Sequence, residues 1–259
     1  MGNEKSRPSS GVKLPAALGG KKGPRVEELV ERARKTGVLK ISTGSLKEIP
    51  ESLASLAGCL RTLDLSGNRL SHLPNFIGDL GNLKILQLDN NQILELPDDI
   101  GRLKKLETLS LAGNQLTSLP DSLISCTALK TVNVSGNGLQ SFPTPLAHAG
   151  SLELVDLSAN RLTSLPDLIG DCRAVELNLN GNQLASLNAP ALARCPRLKV
   201  LRVEENCLGL AEFGEALLGQ SCVSVLATAG NLFQERELRD QPGWDAFQER
   251  CTQSRKKLY

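Results

Sequence analysis

Between residues 36 and 235 apolar and polar positions follow one recurring pattern. Leu60, Leu63, Leu65, Asn68 and Leu70 return as Leu83, Leu86, Leu88, Asn91 and Ile93, and again as Leu106, Leu109, Leu111, Asn114 and Leu116. Further copies carry Asn137, Asn160, Asn182, Asn206 and Asn231, so successive asparagines are 23, 23, 23, 23, 22, 24 and 25 residues apart. A first copy without the asparagine is read at Leu39, Ile41, Gly44 and Leu46. A period of this length marks stacked units, none of which closes its own core, so that stability is shared between neighbours.

Each part of the unit predicts an element. The x-Leu-x-Leu-x core alternates with period two, which makes a short strand with leucines on one face and the intervening residues on the other. The asparagine follows the strand, where its amide can donate to and accept from buried backbone that would otherwise cost roughly 1–3 kcal/mol per unpaired group. Gly67, Gly113, Gly136 and Gly181 stand immediately before asparagines, as suits a bend with permissive dihedrals. Leu73-Pro74, Leu96-Pro97, Leu119-Pro120, Phe142-Pro143 and Leu165-Pro166 then start a return limb. Val26, Leu29, Val30 and Ala33 share one face of a helical stretch that begins at Gly23-Pro24 and ends at Gly37. Beyond the repeats, Leu238, Trp244 and Phe247 lie in two polar helical pieces broken at Pro242-Gly243. Trp244 is read as covering the last open core layer rather than as a binding anchor.

With strand, asparagine and Leu-Pro in place, the chain resembles the leucine-rich-repeat superfamily in its 23-residue intracellular type, over residues 36 to 235. The resemblance implies an α/β fold: a horseshoe solenoid with a parallel concave sheet and a helical or irregular convex side. Met1-Gly2-Asn3, Lys35-Thr36-Gly37-Val38, Leu103 to Leu111, Cys195 to Lys199, Glu204 to Leu208 and Gly230 to Phe233 are similar to a branch of small stand-alone members. For that branch the resemblance implies a lipidated N-terminus and no assigned catalysis. A basic Pro/Gly/Ser-rich segment over residues 6 to 23 departs from that branch. The expected layout is a disordered basic segment over 1–23, a capping helix over 24–37, about nine repeats over 38–233, and a helical cap with a basic tail over 234–259.

Composition supports one small core layer copied many times: 40% of residues are apolar but only 3% aromatic. The formal charge of +2 argues against nucleic acid as a partner over the whole surface. Cys59, Cys126, Cys172, Cys195, Cys207, Cys222 and Cys251 are odd in number and scattered, the spacing of free thiols in a reducing compartment. Cys207, just past an asparagine bend, is expected to be a packed thiol. The first residues lack the apolar stretch of a signal peptide, and no run of about 18 apolar residues suggests a membrane span. His72 and His148 fall on opposite sides of a repeat unit, so no metal site is expected. Nor are a catalytic residue or a cofactor.

The expectation is therefore a non-catalytic, monomeric interaction module. Met1-Gly2-Asn3-Glu4-Lys5-Ser6 fits the M-G-x-x-x-[ST] pattern for myristoylation of Gly2. Lys5, Arg7, Lys13, Lys21, Lys22 and Arg25 against Glu4 give residues 1–25 a net charge of +5, a second signal beside a single acyl chain. This predicts peripheral attachment to the cytoplasmic face of a membrane. Arg255-Lys256-Lys257 reads as a solubilising tail. A protein partner is expected on the concave face, where nine strands make a sheet roughly 40 Å long with room for about 800 Å² of interface. Its candidate residues are Asp64, Ile85, Gln87, Thr108, Ser110, Asn133, Leu154, Asp156, Glu176, Asn178 and Arg202. Ile85, Leu154 and Val200 are expected to interrupt it as exposed apolar positions, and Glu176, Arg202, Glu204 and Glu205 to form a distal charged group. No Trp or Tyr lies there, which points to modest affinity. The alternative reading is a cytosolic regulatory or inhibitory subunit of an enzyme.

Overall fold

The computed structural model describes residues 26–42 and 44–256. Gly2 and the basic N-terminal segment, together with Lys257, lie outside the described residues.

Nine strands of three residues each form one parallel sheet in chain order: β1 (Val38–Lys40), β2 (Thr62–Asp64), β3 (Ile85–Gln87), β4 (Thr108–Ser110), β5 (Thr131–Asn133), β6 (Leu154–Asp156), β7 (Glu176–Asn178), β8 (Val200–Arg202) and β9 (Val225–Ala227). Their register is continuous. Lys40 pairs with Asp64, Asp64 with Gln87, and the row runs through Ser110, Asn133, Asp156, Asn178 and Arg202 to Ala227. The central residue of each strand from Leu39 to Leu201 points into the core and is buried, and the apolar residue two positions on, Ile41 to Val203, is buried with it. Each such side chain withdrawn from water contributes roughly 1.5–3 kcal/mol, but only because a neighbouring unit covers it.

The asparagine leaves each strand by way of a ladder. In the unit of Asn91, Nδ2 donates to Leu65 O of the preceding unit at 3.1 Å and to Leu88 O of its own at 2.9 Å, while Oδ1 accepts from Leu70 N at 3.0 Å. The same donations and acceptance recur from Asn68 to Asn231. The residue before each asparagine has a positive φ. Glycine fills that place at 67, 113, 136, 181 and 230, but Asn90, Ala159 and Glu205 adopt the same left-handed conformation at φ 54°, 52° and 53°.

On the opposite side the prolines start short return segments, as expected. Pro74, Pro97, Pro120 and Pro166 precede single 3₁₀ turns at Asn75–Asp79, Asp98–Arg102, Asp121–Ser125 and Asp167–Asp171. Short helices α2 (Thr144–His148), α3 (Ala189–Ala193) and α4 (Glu215–Leu218) replace them in other units. A three-residue strand, a bend and a turn use most of a 23-residue unit, so little chain remains for a longer helix. The longest spacing, 25 residues from Asn206 to Asn231, holds both a 3₁₀ turn at Leu210–Phe213 and α4. The turns stack closely: a Cβ on Gly101 would collide with Ser122 O in the next unit.

Helix α1 (Val26–Thr36) closes the proximal end, with Val30 and Ala33 buried against the first layer. Distally, a 3₁₀ segment at Glu235–Asp240 and helix α5 (Trp244–Lys256) bring Leu238 and Phe247 onto the last layer, with Trp244 partly buried beside them. The Trp244 and Phe247 rings lie 5.5 Å apart between centroids. Among the described residues no helix is long and apolar enough to cross a membrane, and no group of His, Cys, Asp and Glu could hold a metal ion.

Candidate functional site

The open face of the sheet, turned away from the leucines, carries every concave-face candidate in two adjoining rows. Asp64, Gln87, Ser110, Asn133, Asp156, Asn178 and Arg202 make one; Ile85, Thr108, Leu154 and Glu176 belong to the other. Strand pairing holds both rows in register, so spacing along the face is set by backbone geometry rather than by side-chain packing.

The rows are not uniformly open. Asp64 and Ser110, read from the sequence as exposed, are only 7% and 8% accessible. Each is drawn into hydrogen bonds along the sheet. Lys40 Nζ donates to Asp64 Oδ2 at 2.5 Å and Ser66 N to Asp64 Oδ1 at 3.0 Å. Burial disfavours the Asp64 carboxylate, but the bonds from Lys40 and Ser66 outweigh it and hold the carboxyl below its ordinary range. Ser110 Oγ donates to Asp89 Oδ1 at 2.6 Å. Asn133, Asp156 and Asn178 likewise accept from the backbone N–H two residues on, at 2.9, 2.9 and 3.1 Å, and so close the bend after their strands. Four of the seven residues in that row, Asp64, Asn133, Asp156 and Asn178, are therefore committed in part to shaping the turn.

Ile85, Leu154 and Val200 are half-buried rather than exposed. The more open apolar positions are Val38 and Val225, 50% and 45% accessible, at the two ends of the same row. Their strands have a neighbour on one side only, which leaves a flank that the interior strands cover. The distal charged group divides. Arg202 Nε donates to Glu176 Oε1 at 2.9 Å, and Asn180 Nδ2 donates to Glu204 Oε2 at 2.7 Å, while Glu205 sits on the bend. Gln87, Thr108, Leu154, Glu176 and Arg202 remain as a central group, each partly exposed on the open face.

The thiols separate by burial. Desolvation pushes the Cys126 thiol up to about 11 and the Cys195 thiol up to about 12, and raises that of Cys172. Cys207, expected to be packed, is exposed, as is Cys222. The bend carries Cys207 outward because the next residue, Leu208, takes the inward place.

Sequence comparison places leucine rich repeats at residues 59–80 and 81–139. Solved structures of the same architecture include a leucine-rich-repeat protein of Leptospira interrogans, 24% identical, covering 76% of this chain and 57% of that one, with a TM-score of 0.64. The leucine-rich repeat domain of APL1B is 22% identical, covering 83% and 64%, with a TM-score of 0.65. The plant peptide hormone receptor RGFR1, solved in complex with RGF2, is 25% identical, covering 74% and 36%, with a TM-score of 0.53. The chain thus spans less than two thirds of each of these structures. Residues 59–139 carry leucine-rich repeats, and the nine-stranded fold built around them is a leucine-rich-repeat solenoid.

Proposed function

From a leucine-rich-repeat solenoid as frame, we propose that this protein is a non-catalytic interaction module that binds a protein partner on the open face of its sheet. The observation that carries the reading is the unbroken register of nine strands, which presents Gln87, Thr108, Leu154, Glu176 and Arg202 as one surface. Short side chains such as Thr108 and Thr131 leave the strand backbone approachable, and Leu154 supplies an apolar centre among polar neighbours. The plant peptide hormone receptor above, solved in complex with RGF2, supports a ligand-binding use of this architecture. The absence of Trp and Tyr from these rows favours moderate affinity, since such residues anchor tight interfaces.

The second part of the proposal is a location. Gly2 in the Met1-Gly2-Asn3-Glu4-Lys5-Ser6 start is read as a myristoylation site, and the +5 charge of residues 1–25 as its electrostatic partner at an anionic cytoplasmic leaflet. The stretches from Leu103 to Leu111, from Cys195 to Lys199 and from Glu204 to Leu208 support kinship with leucine-rich repeat-containing protein 57, a resemblance that implies the same lipidated start. Cell fractionation of wild type beside Gly2→Ala tests the location: the wild type is expected in the membrane fraction and the variant in the soluble one, and equal distribution would end this reading. The binding face is tested by substituting Gln87, Leu154 and Arg202 together, which spares Asp156 because its carboxylate closes the bend.

A further inference from the structure

The residues that enter successive strands along one edge of the sheet are Arg61, Lys84, Glu107, Lys130 and Glu153. From Lys84 onward the signs alternate, and ion pairs tie them: Lys84 Nζ lies 2.8 Å from Glu107 Oε1, and Lys130 Nζ 3.1 Å from Glu107 Oε2. The two lysines, Lys84 first, hold the Glu107 carboxyl below its ordinary range. Towards α1 the alternation stops. Arg34 and Lys35 from the last turn of α1, Arg61, Lys84, and Lys105 from the turn before β4 line one cleft of about 380 Å³.

Among the described residues no carboxylate lines that cleft. Arg34 is met by Glu31 at 3.0 Å and Lys84 by Glu107, but Lys35, Arg61 and Lys105 make no ion pair among the described residues. Lys105 Nζ donates to Asn82 Oδ1 at 2.7 Å, and Asn82 Nδ2 donates in turn to Gly58 O at 2.9 Å, which fixes the ammonium over the cleft. The Arg61 guanidinium lies across Gly37, where a Cβ would come within 3.1 Å of Nε. Lysine and arginine side chains offer donors only. Cations gathered without counter-charge repel each other, and an anion with several oxygens relieves that repulsion while taking up their N–H groups. The volume is within the range of small-ligand sites, about 300–1,000 Å³.

A second feature indicates where such an anion would be found. The strongly basic residues 1–25 join the fold at Val26, the start of α1, and α1 ends in the cleft. At 1.5 Å per residue its 11 residues span only about 16 Å. We propose that this cleft binds the phosphates of a multiply phosphorylated lipid headgroup, so that the edge of the solenoid next to α1 faces an anionic membrane. The membrane reading above supplies the location of the anion; the cleft's own affinity does not depend on lipidation of Gly2.

The test uses the full chain purified without lipid modification. Flotation compares phosphatidylcholine vesicles carrying phosphatidylinositol bisphosphate with vesicles carrying phosphatidylserine at matched surface charge; soluble inositol trisphosphate and a phosphoserine peptide are measured beside them. Arg61→Glu with Lys105→Glu is expected to weaken binding to the phosphoinositide vesicles at least about tenfold. Arg61→Gln with Lys105→Gln is expected to lose less, and Gly2→Ala nothing. Both cleft residues are exposed, so an unchanged melting temperature is expected for each variant. Equal binding of wild type and the reversed variant, equal binding to phosphatidylserine vesicles, or binding only of the soluble phosphate or the peptide would each overturn the proposal. Because this protein carries no lipid, failure here is distinguishable from failure of the Gly2→Ala fractionation.

Discussion

Arg250 Nε donates to Val223 O at 3.0 Å, fastening α5 to the chain that enters β9, the last strand of the sheet. The same guanidinium donates to Gly219 O at 3.2 Å and to Leu218 O, and its carbon stands 6.0 Å from the centre of the Phe247 ring. These carbonyls belong to the unit that has no further repeat to cover it. A planar fork reaches three of them at once, which a single ammonium cannot do. Arg250→Ala is expected to cost about 2–4 kcal/mol, with Arg250→Lys recovering less than half. Hydrogen exchange should show the loss first in β9 and α5, since solenoid stability is carried between neighbours.

Asn160 stands for the interior of the ladder. It is buried, its Nδ2 donates to Val134 O and Leu157 O at 3.0 Å each, and Leu139 N donates to its Oδ1 at 3.1 Å. Asn160→Ala leaves Leu139 N without its partner and takes one of two amide donors from Val134 O and Leu157 O, which keep those of Asn137 and Asn182. Chemical denaturation should show a loss of about 2–4 kcal/mol. Asn160→Asp should also destabilise, because a carboxylate cannot donate to either carbonyl.

Ala159 holds a left-handed conformation at φ 52° on an exposed bend where most other units use glycine. A Cβ in that conformation costs roughly 1–2 kcal/mol, and glycine avoids it while losing more freedom on folding. Ala159→Gly is expected to stabilise by up to about 1 kcal/mol in a thermal melt.

The buried thiols set an alkaline limit. Burial raises Cys126 to about 11 and Cys195 to about 12, so the folded state favours their neutral form. Their contribution is fully present below the ordinary thiol value of about 8.5 and is lost as pH rises from there through the folded values. The denaturant midpoint of wild type should fall above about pH 9 more steeply than that of Cys126→Ala with Cys195→Ala. In the native state a thiol reagent should label Cys207 and Cys222, and reach Cys126, Cys172 and Cys195 only on unfolding.

The architecture was legible because each repeat states it again: the asparagine spacing located eight bends, and the columns read from the leucines match the strand register from Val38 to Ala227. What the repeat does not encode was harder to read. Asp64 and Ser110 alternate like their exposed neighbours, and only the partners at Lys40, Ser66 and Asp89 draw them under cover. Arg250 is one arginine in a polar helix, and its carbonyl partners are more than 25 residues away in sequence. The basic cleft is assembled from three units. Its one sequence signal is the missing acidic residue among those preceding strands, Arg61 and Lys84 in succession before the alternation starts at Glu107.

The central claim, that the open face of the sheet is the binding surface, is tested most directly by quantitative affinity purification from cells with three baits. These are wild type, a variant with Gln87→Arg, Leu154→Arg and Arg202→Glu on the open face, and a control with Asp98→Lys and Asp121→Lys on the return turns. All three are expected to melt within about 1 kcal/mol of each other, since none of the replaced residues belongs to the buried core. The account predicts partners recovered equally by wild type and control and reduced at least about tenfold with the open-face variant. Recovery unchanged by the open-face substitutions, or lost with those on the return turns, would contradict it.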